Sequence, residues 1–115
     1  MNKITHFYDW EAISGGGEVK KADRFNEGKL QWNLVDWESL KEFVKVLMFG
    51  SKKYAPDNWK KGLNREEILE SMQRHLVALF NKEETDPESG LHHMGHIICN
   101  AVFYLFHFRN KSFTK

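Results

Sequence analysis

From about residue 36 onward, apolar positions recur with a helical period. Leu40, Phe43, Val44, Leu47 and Met48 fall at i, i+3, i+4, i+7 and i+8, a single stripe along one helix face. Asp36 can cap this helix. Ala55-Pro56-Asp57-Asn58 closes it near Tyr54, because a residue before proline is driven out of the α region. Ile68, Leu69, Met72, Leu76, Leu79 and Phe80 make a second stripe. Asn64 is placed to cap that helix, with Glu67 at the third helical position for a capping box. A polar connection over 81–90, holding Asp86-Pro87-Glu88-Ser89-Gly90, leads to a third helix from about Leu91 to Phe108. The basic tail 109–115 is expected to fray. Residues 1–35 show no helical period, and Gly15-Gly16-Gly17 breaks them beside Lys20-Lys21-Ala22-Asp23-Arg24.

The pattern predicts an all-α fold: a sheetless three-helix antiparallel bundle, 24–115, preceded by an irregular arm, 1–23. Antiparallel bundles favour four helices. With three, the apolar surface left over is expected to be covered by a second subunit, in a homo-oligomer.

Composition sharpens this reading. The 115 residues form one domain, and nine Phe, four Trp and three Tyr exceed what a small monomeric bundle must bury. A subunit interface or a flat ligand can use the surplus. A net charge of +1 excludes a global field for a nucleic-acid polymer or an anionic membrane. The single cysteine, Cys99, excludes an internal disulfide and a multi-Cys zinc site, and its apolar neighbours suggest a buried thiol. Met1 to Phe7 carries no apolar signal region, and no apolar run approaches the roughly 20 residues of a membrane span. A cytoplasmic protein is expected.

The third helix carries the candidate chemistry. On a helical wheel His93, Asn100, His107 and His96 fall within about 60° of one another, and nearly every other direction is apolar. A narrow polar stripe on a helix buried all round is an internal site or a satisfied hydrogen-bond network. His93, His96 and Asn100 lie within about 10 Å along the axis, whereas His107 is about 10 Å farther on and outside that reach. His75 sits at the margin of the second helix's apolar face, so His75, His93 and His96 can converge, with Glu83, Asp86 and Glu88 at one end. Imidazole and carboxylate are ligands that a divalent metal takes. A lone histidine on an apolar helix more often donates to a carbonyl; two at i and i+3, with Asn at i+7 and an acidic turn ahead, weaken that reading. Glu38 and Glu42 project opposite their helix's stripe and are expected to be solvated.

Local positive charge gathers at Lys52-Lys53, Lys60-Lys61 and Arg74, near Tyr54 and Trp59. Cations beside aromatic faces suit a nucleotide, with its phosphates on the cations and its base stacked. An ordinary basic surface turn would carry the same residues.

Two sets of motifs occur in fixed order. The first is Gly28-Lys29, then Val46-Leu47-Met48-Phe49-Gly50-Ser51-Lys52-Lys53-Tyr54, then Asn58-Trp59. The second is Arg74-His75-Leu76, Asp86-Pro87-Glu88-Ser89-Gly90, His93, His96 and Asn100. Together, over about residues 24–108, they resemble the dATP/dGTP diphosphohydrolase domain found mainly in phages. That domain is related in function to the MazG-type all-α nucleoside triphosphate pyrophosphohydrolases. The resemblance implies a Mg²⁺-dependent enzyme that cleaves a purine deoxynucleoside triphosphate to monophosphate and pyrophosphate, water attacking the α-phosphorus. It implies Glu83, Asp86 and Glu88 as metal ligands. His75, His93 and His96 would be catalytic, ligating metal or orienting water and phosphate. Lys52, Lys53 and Arg74 would neutralise the triphosphate, and Asn58, Trp59 and Asn100 would contact sugar or base.

MazG-type enzymes place E-x-x-E and E-x-x-D pairs on helices facing the metal. Glu67-x-x-Glu70 and Glu83-x-x-Asp86 keep the letters, but the wheel turns Glu70 away from the apolar face and the second pair falls in the loop. Mg²⁺ prefers oxygen ligands, so histidine ligation would favour Mn²⁺, Fe²⁺ or Zn²⁺. The alternative function is a phage protein that sequesters a nucleotide without turnover, keeping the basic and aromatic contacts and needing no metal.

Overall fold

A computed structural model of the protein describes residues 19–115, so Gly15-Gly16-Gly17 and most of the expected arm lie outside the described residues. By its contacts the chain divides into two units, Met1–Glu38 and Ser39–Lys115. The described part of the first is almost wholly exposed. It holds a turn closed by Lys29 N–H to the Asn26 carbonyl, with Gly28 at φ 79°, and a 3₁₀ turn over Trp32–Leu34. The left-handed φ is open to glycine because it lacks a Cβ.

The second unit is helical. A 3₁₀ turn, Trp37–Leu40, which begins at the end of the first unit, leads into α1, Lys41–Lys53. Another 3₁₀ turn, Asn58–Lys60, precedes a two-residue strand β1, Leu63–Asn64, and then α2, Arg65–Phe80. After the 81–92 connection come α3, His93–Asn110, and strand β2, Phe113–Thr114. Helices α2 and α3 are antiparallel: Arg65 bonds Tyr104, Ser71 bonds Asn100 and His75 bonds His93, so numbers rise along one as they fall along the other. Helix α3 is the central element, packed against both α1 and α2. The all-α fold expected from the pattern is the fold observed. No helix among the described residues is long and apolar enough to cross a membrane.

The helix ends follow local chemistry. The Asn64 side-chain oxygen accepts the Glu67 N–H at 3.0 Å, as its position predicts. His92 is the N-cap of α3, its Nδ1 accepting the Met94 N–H at 2.9 Å. Lys111 adopts a left-handed φ of 52° and ends α3, and Ser112 N–H then reaches back to the His107 carbonyl at 2.9 Å.

Three expectations are corrected. The tail does not fray: Phe113 and Thr114 pair in parallel with Leu63 and Asn64, which adds a small sheet to a fold read as sheetless. The pairing is anchored by His107, which is fully buried. A carbonyl only accepts, so His107 Nε2–H donates to the Trp59 carbonyl at 2.7 Å, leaving Nδ1 to accept the Ser112 hydroxyl at 2.6 Å.

Second, α1 is turned relative to its expected face. Val46 is its buried residue, while Val44 and Met48 are exposed, at 48% and 58%. The cause is Gly95 on α3: a Cβ there would lie 2.8 Å from the Glu42 carbonyl oxygen, so the α1 backbone occupies that notch and Val46 turns inward. Glu42, expected in solvent, keeps a side chain that is 41% exposed, with Lys45 on its carboxylate at 3.0 Å.

Third, the outer apolar residues of the other helices are not enclosed within the chain. Leu76 and Phe80 on α2 and Met94, Leu105 and Phe108 on α3 are exposed. The buried side of α3 is instead His93, Gly95, Cys99 and His107.

Candidate active site

The unit formed by residues 39–115 encloses a cleft of about 750 Å³ between α1, α2, α3 and the 81–92 connection. Its lining includes ten of the twelve residues singled out in the sequence: Lys53, Asn58, Trp59, Arg74, His75, Glu83, Asp86, Glu88, His93 and His96. Two lie apart from it. Lys52 is exposed outside the lining, and Asn100 donates to the Ser71 hydroxyl at 3.1 Å and the His96 carbonyl at 3.0 Å. Asn100 thus ties α3 to α2 behind the cleft wall.

The histidines meet because of helical spacing. His93 and His96 are i and i+3 on α3, and the antiparallel register brings His75 of α2 opposite both. His75 Nδ1 lies 2.8 Å from His93 Nδ1, and its ring stacks on that of His96 at 4.5 Å and 4°. The far nitrogen of His93, Nε2, is 2.8 Å from Glu83 Oε1. A carboxylate accepts, so His93 Nε2 carries the proton, and in the neutral ring Nδ1 presents a lone pair to His75.

The Asp86 turn forms the other half. Asp86 Oδ2 accepts the Ser89 N–H and the Ser89 hydroxyl, both at 2.9 Å. Gly90, at φ 72°, bends the turn so that its N–H reaches the Asp86 carbonyl at 2.7 Å. Ser89 Oγ also accepts the Leu91 N–H at 3.2 Å and lies 2.7 Å from His96 Nε2. Since the hydroxyl proton goes to Asp86, His96 Nε2 donates here and the neutral ring keeps its lone pair on Nδ1.

Burial, together with the neighbouring imidazoles, holds His75 below its ordinary pKa, and burial also lowers His96. Both are therefore neutral, lone-pair-bearing groups at neutral pH. Burial alone would raise Asp86. The two Ser89 hydrogen bonds, with His96 and His75 nearby, outweigh it and hold the carboxyl below the ordinary value. Cys99 also lines the cleft, but burial pushes its thiol up to about 12, which excludes it as a nucleophile at neutral pH.

The three acidic residues are separated by task. Glu83 holds His93, Glu88 pairs with Lys53 at 2.6 Å across the cleft mouth, and Asp86 stays with the histidines. Among the described residues, the group whose ligand atoms lie within 4.8 Å of one another is His75, Asp86 and His93. That is not the all-oxygen nest that Mg²⁺ takes. Glu67 and Glu70 are outside the lining.

The lining is also basic and aromatic, with Lys53, Arg74, Tyr54 and Trp59. Lys53 Nζ lies 5.4 Å from the Tyr54 ring centre, and Tyr54 is 65% exposed. Trp59 is a fixed wall rather than a free platform, stacked on Phe103 at 4.7 Å and edge-on to Phe106. The structure adds Ser89, which joins Asp86 to His96. A serine three residues after an aspartate, just before a glycine, is the sequence pattern of such a side-chain-closed turn.

Residues 19–115 match the family described as "dATP/dGTP diphosphohydrolase, N-terminal". Among curated proteins, the dATP/dGTP diphosphohydrolase of Salmonella phage PMBT28 is 33% identical over 88 residues, covering 76% of this chain. The matched stretch is 30% of that relative's length. No solved structure matches the chain.

Proposed function

This chain belongs to the dATP/dGTP diphosphohydrolase N-terminal family, and from that premise we propose that it hydrolyses dATP or dGTP to the monophosphate and pyrophosphate with a divalent cation. The observation that carries the reading is the cleft itself, which brings His75, His93, His96 and Asp86 together with Lys53, Arg74 and Tyr54 in one lining. Its volume is in the range that encloses a small-molecule ligand.

In this reading Lys53 and Arg74 neutralise the triphosphate, and the exposed Tyr54 ring offers the base a stacking face. The phosphate must compete with Glu88 for Lys53, so binding exchanges one ion pair for another. His96 Nδ1 accepts the proton of the water that attacks the α-phosphorus, while Ser89 and Asp86 fix the ring from its other nitrogen. Asn58 and Trp59 bound the sugar and base end. A bound divalent cation would supply Lewis-acid stabilisation of the developing phosphate charge. A homo-oligomer belongs to the same reading, since Val44, Met48 and Phe80 are exposed apolar side chains that a second copy can cover.

The test is a panel of deoxynucleoside triphosphates incubated with the protein, with and without divalent cations. Pyrophosphate release from dATP or dGTP is expected, and it should be lost in Asp86→Ala with an unchanged far-UV circular dichroism spectrum. Tight binding of intact nucleotide without release would replace this reading with sequestration.

A further inference from the structure

We propose that His75 Nδ1, His93 Nδ1 and the Asp86 carboxylate form a mononuclear site for a first-row transition-metal dication, of the Zn²⁺, Co²⁺ or Mn²⁺ kind, in preference to Mg²⁺. The inference concerns the cleft of the proposed hydrolysis and deepens that reading by naming the ion's class and its ligands.

The spacing is the first argument. Two imidazole nitrogens on one such ion, each at about 2.0–2.1 Å from it, stand about 2.8–3.4 Å apart for ligand angles between octahedral and tetrahedral. His75 Nδ1 and His93 Nδ1 are 2.8 Å apart, so they already stand at the short end of the range for neighbouring ligands. Asp86 completes the set: one ligand atom from each of His75, His93 and Asp86 lies within 4.8 Å of the others. Without an ion, the same two nitrogens share a hydrogen bond; on binding, the proton on His75 Nδ1 moves to Nε2 and both lone pairs face the metal.

The supporting contacts are the second argument. Histidines that ligate metals usually donate their other N–H to a carboxylate, which fixes the tautomer and raises ligand basicity. Glu83 does this for His93 at 2.8 Å. His75 is held in plane by the parallel His96 ring, and Asp86 is fixed by both Ser89 hydrogen bonds. Each proposed ligand therefore has its own partner that fixes its direction.

Donor chemistry chooses the ion. Two nitrogens and one oxygen suit borderline transition ions, whereas Mg²⁺ takes oxygens and keeps its waters. In the nucleotide-free cleft the other carboxylates are engaged elsewhere, Glu83 with His93 and Glu88 with Lys53. Three protein ligands leave further positions open toward the cleft, as in catalytic rather than structural sites.

The test titrates Co²⁺ into chelator-treated, nucleotide-free protein, following its visible ligand-field absorption, with Zn²⁺ competition. One Co²⁺ per chain is expected, displaced by equimolar Zn²⁺ and retained in a large excess of Mg²⁺. His75→Ala and Asp86→Asn should each remove the signal while far-UV circular dichroism stays native. Glu83→Gln, which keeps the bond to His93 but not the charge, should weaken binding by about 10–100-fold. Absence of the signal, its survival in both His75→Ala and Asp86→Asn, or its displacement by Mg²⁺ at equal concentration would overturn the assignment. A protein that binds no Co²⁺ yet releases pyrophosphate overturns this inference alone. One that binds Co²⁺ but leaves dATP and dGTP intact overturns the hydrolysis alone.

Discussion

Gly95 sets the distance between the two helices that face each other across the cleft, so Gly95→Ala should act on both stability and substrate binding. The added Cβ would meet the Glu42 carbonyl oxygen at 2.8 Å, its carbon at 3.0 Å and the Glu42 Cβ at 3.1 Å. Ordinary contact begins at 3.4 Å, so the first shortfall is about 0.6 Å, against helix backbone that cannot swing aside. Overpacking of this kind costs about 1–3 kcal/mol. Replacing a helical glycine by alanine returns about 1 kcal/mol. The net expectation is a loss of about 1 kcal/mol, or about 4–8 °C in melting temperature for a unit of this size. Gly50→Ala is the internal control, because Gly50 lies within α1 and nothing stands within 4 Å of its added Cβ. It should keep the propensity gain and melt higher than the parent. Urea and thermal unfolding of both variants measure this. A Gly95→Ala protein as stable as Gly50→Ala would refute the close approach of α1 to α3. The same wedge displaces the helix that carries Lys53, so KM for the nucleotide should rise more than kcat falls.

Two further outcomes follow from buried groups. His107→Ala leaves the Trp59 carbonyl without its donor and the Ser112 hydroxyl without its acceptor, a loss of about 1–3 kcal/mol. It should also speed amide exchange at Phe113 and Thr114, and unchanged exchange there would show that His107 does not hold the tail. The chelator-treated protein should also lose stability on acidification. His75 and His96 have folded pKa values below their ordinary 6.5, so the unfolded chain binds more protons just below that pH. Stability is then complete above about pH 6.5 and falls as the pH drops from there toward the folded values. Asp86, held below 3.8, extends the same trend into more acidic solution. Urea midpoints should therefore rise from about pH 5 to pH 7 and flatten in a His75→Gln, His96→Gln variant. A midpoint that falls across this range would contradict the shifts.

How much could be read in advance depended on whether a feature was local. Three helices were legible from the apolar period, and Asn64 as a cap from its place ahead of Arg65–Phe80, because capping is settled within one turn. The buried face of α1 was not. Its period puts Val44 and Met48 on the stripe and leaves Val46 off it, and what turns Val46 inward is a missing Cβ on another helix, at Gly95. The tail was misread for a similar reason: Lys111-Ser112-Phe113-Thr114 carries no strand pattern of its own. It is ordered by partners 48 and 50 residues away, through His107 to Trp59 and through the pairing of Phe113 and Thr114 with Leu63 and Asn64.

The candidate site divides along the same line. That His75, His93 and His96 converge is a consequence of the i, i+3 spacing and an antiparallel neighbour, both visible in the chain. Which carboxylate serves which histidine is not, because Glu83, Asp86 and Glu88 lie in a connection whose course is set by Gly90 and by Asp86 closing on Ser89. Three like residues that the resemblance assigns to one metal take up three positions: behind His93, beside His96, and on Lys53 at the mouth. That division has a chemical consequence. A carboxylate behind an imidazole strengthens a nitrogen ligand, whereas the same carboxylate on the ion would replace it with oxygen. The position of Glu83, more than the number of acidic residues, therefore bears on which metal the cleft would prefer.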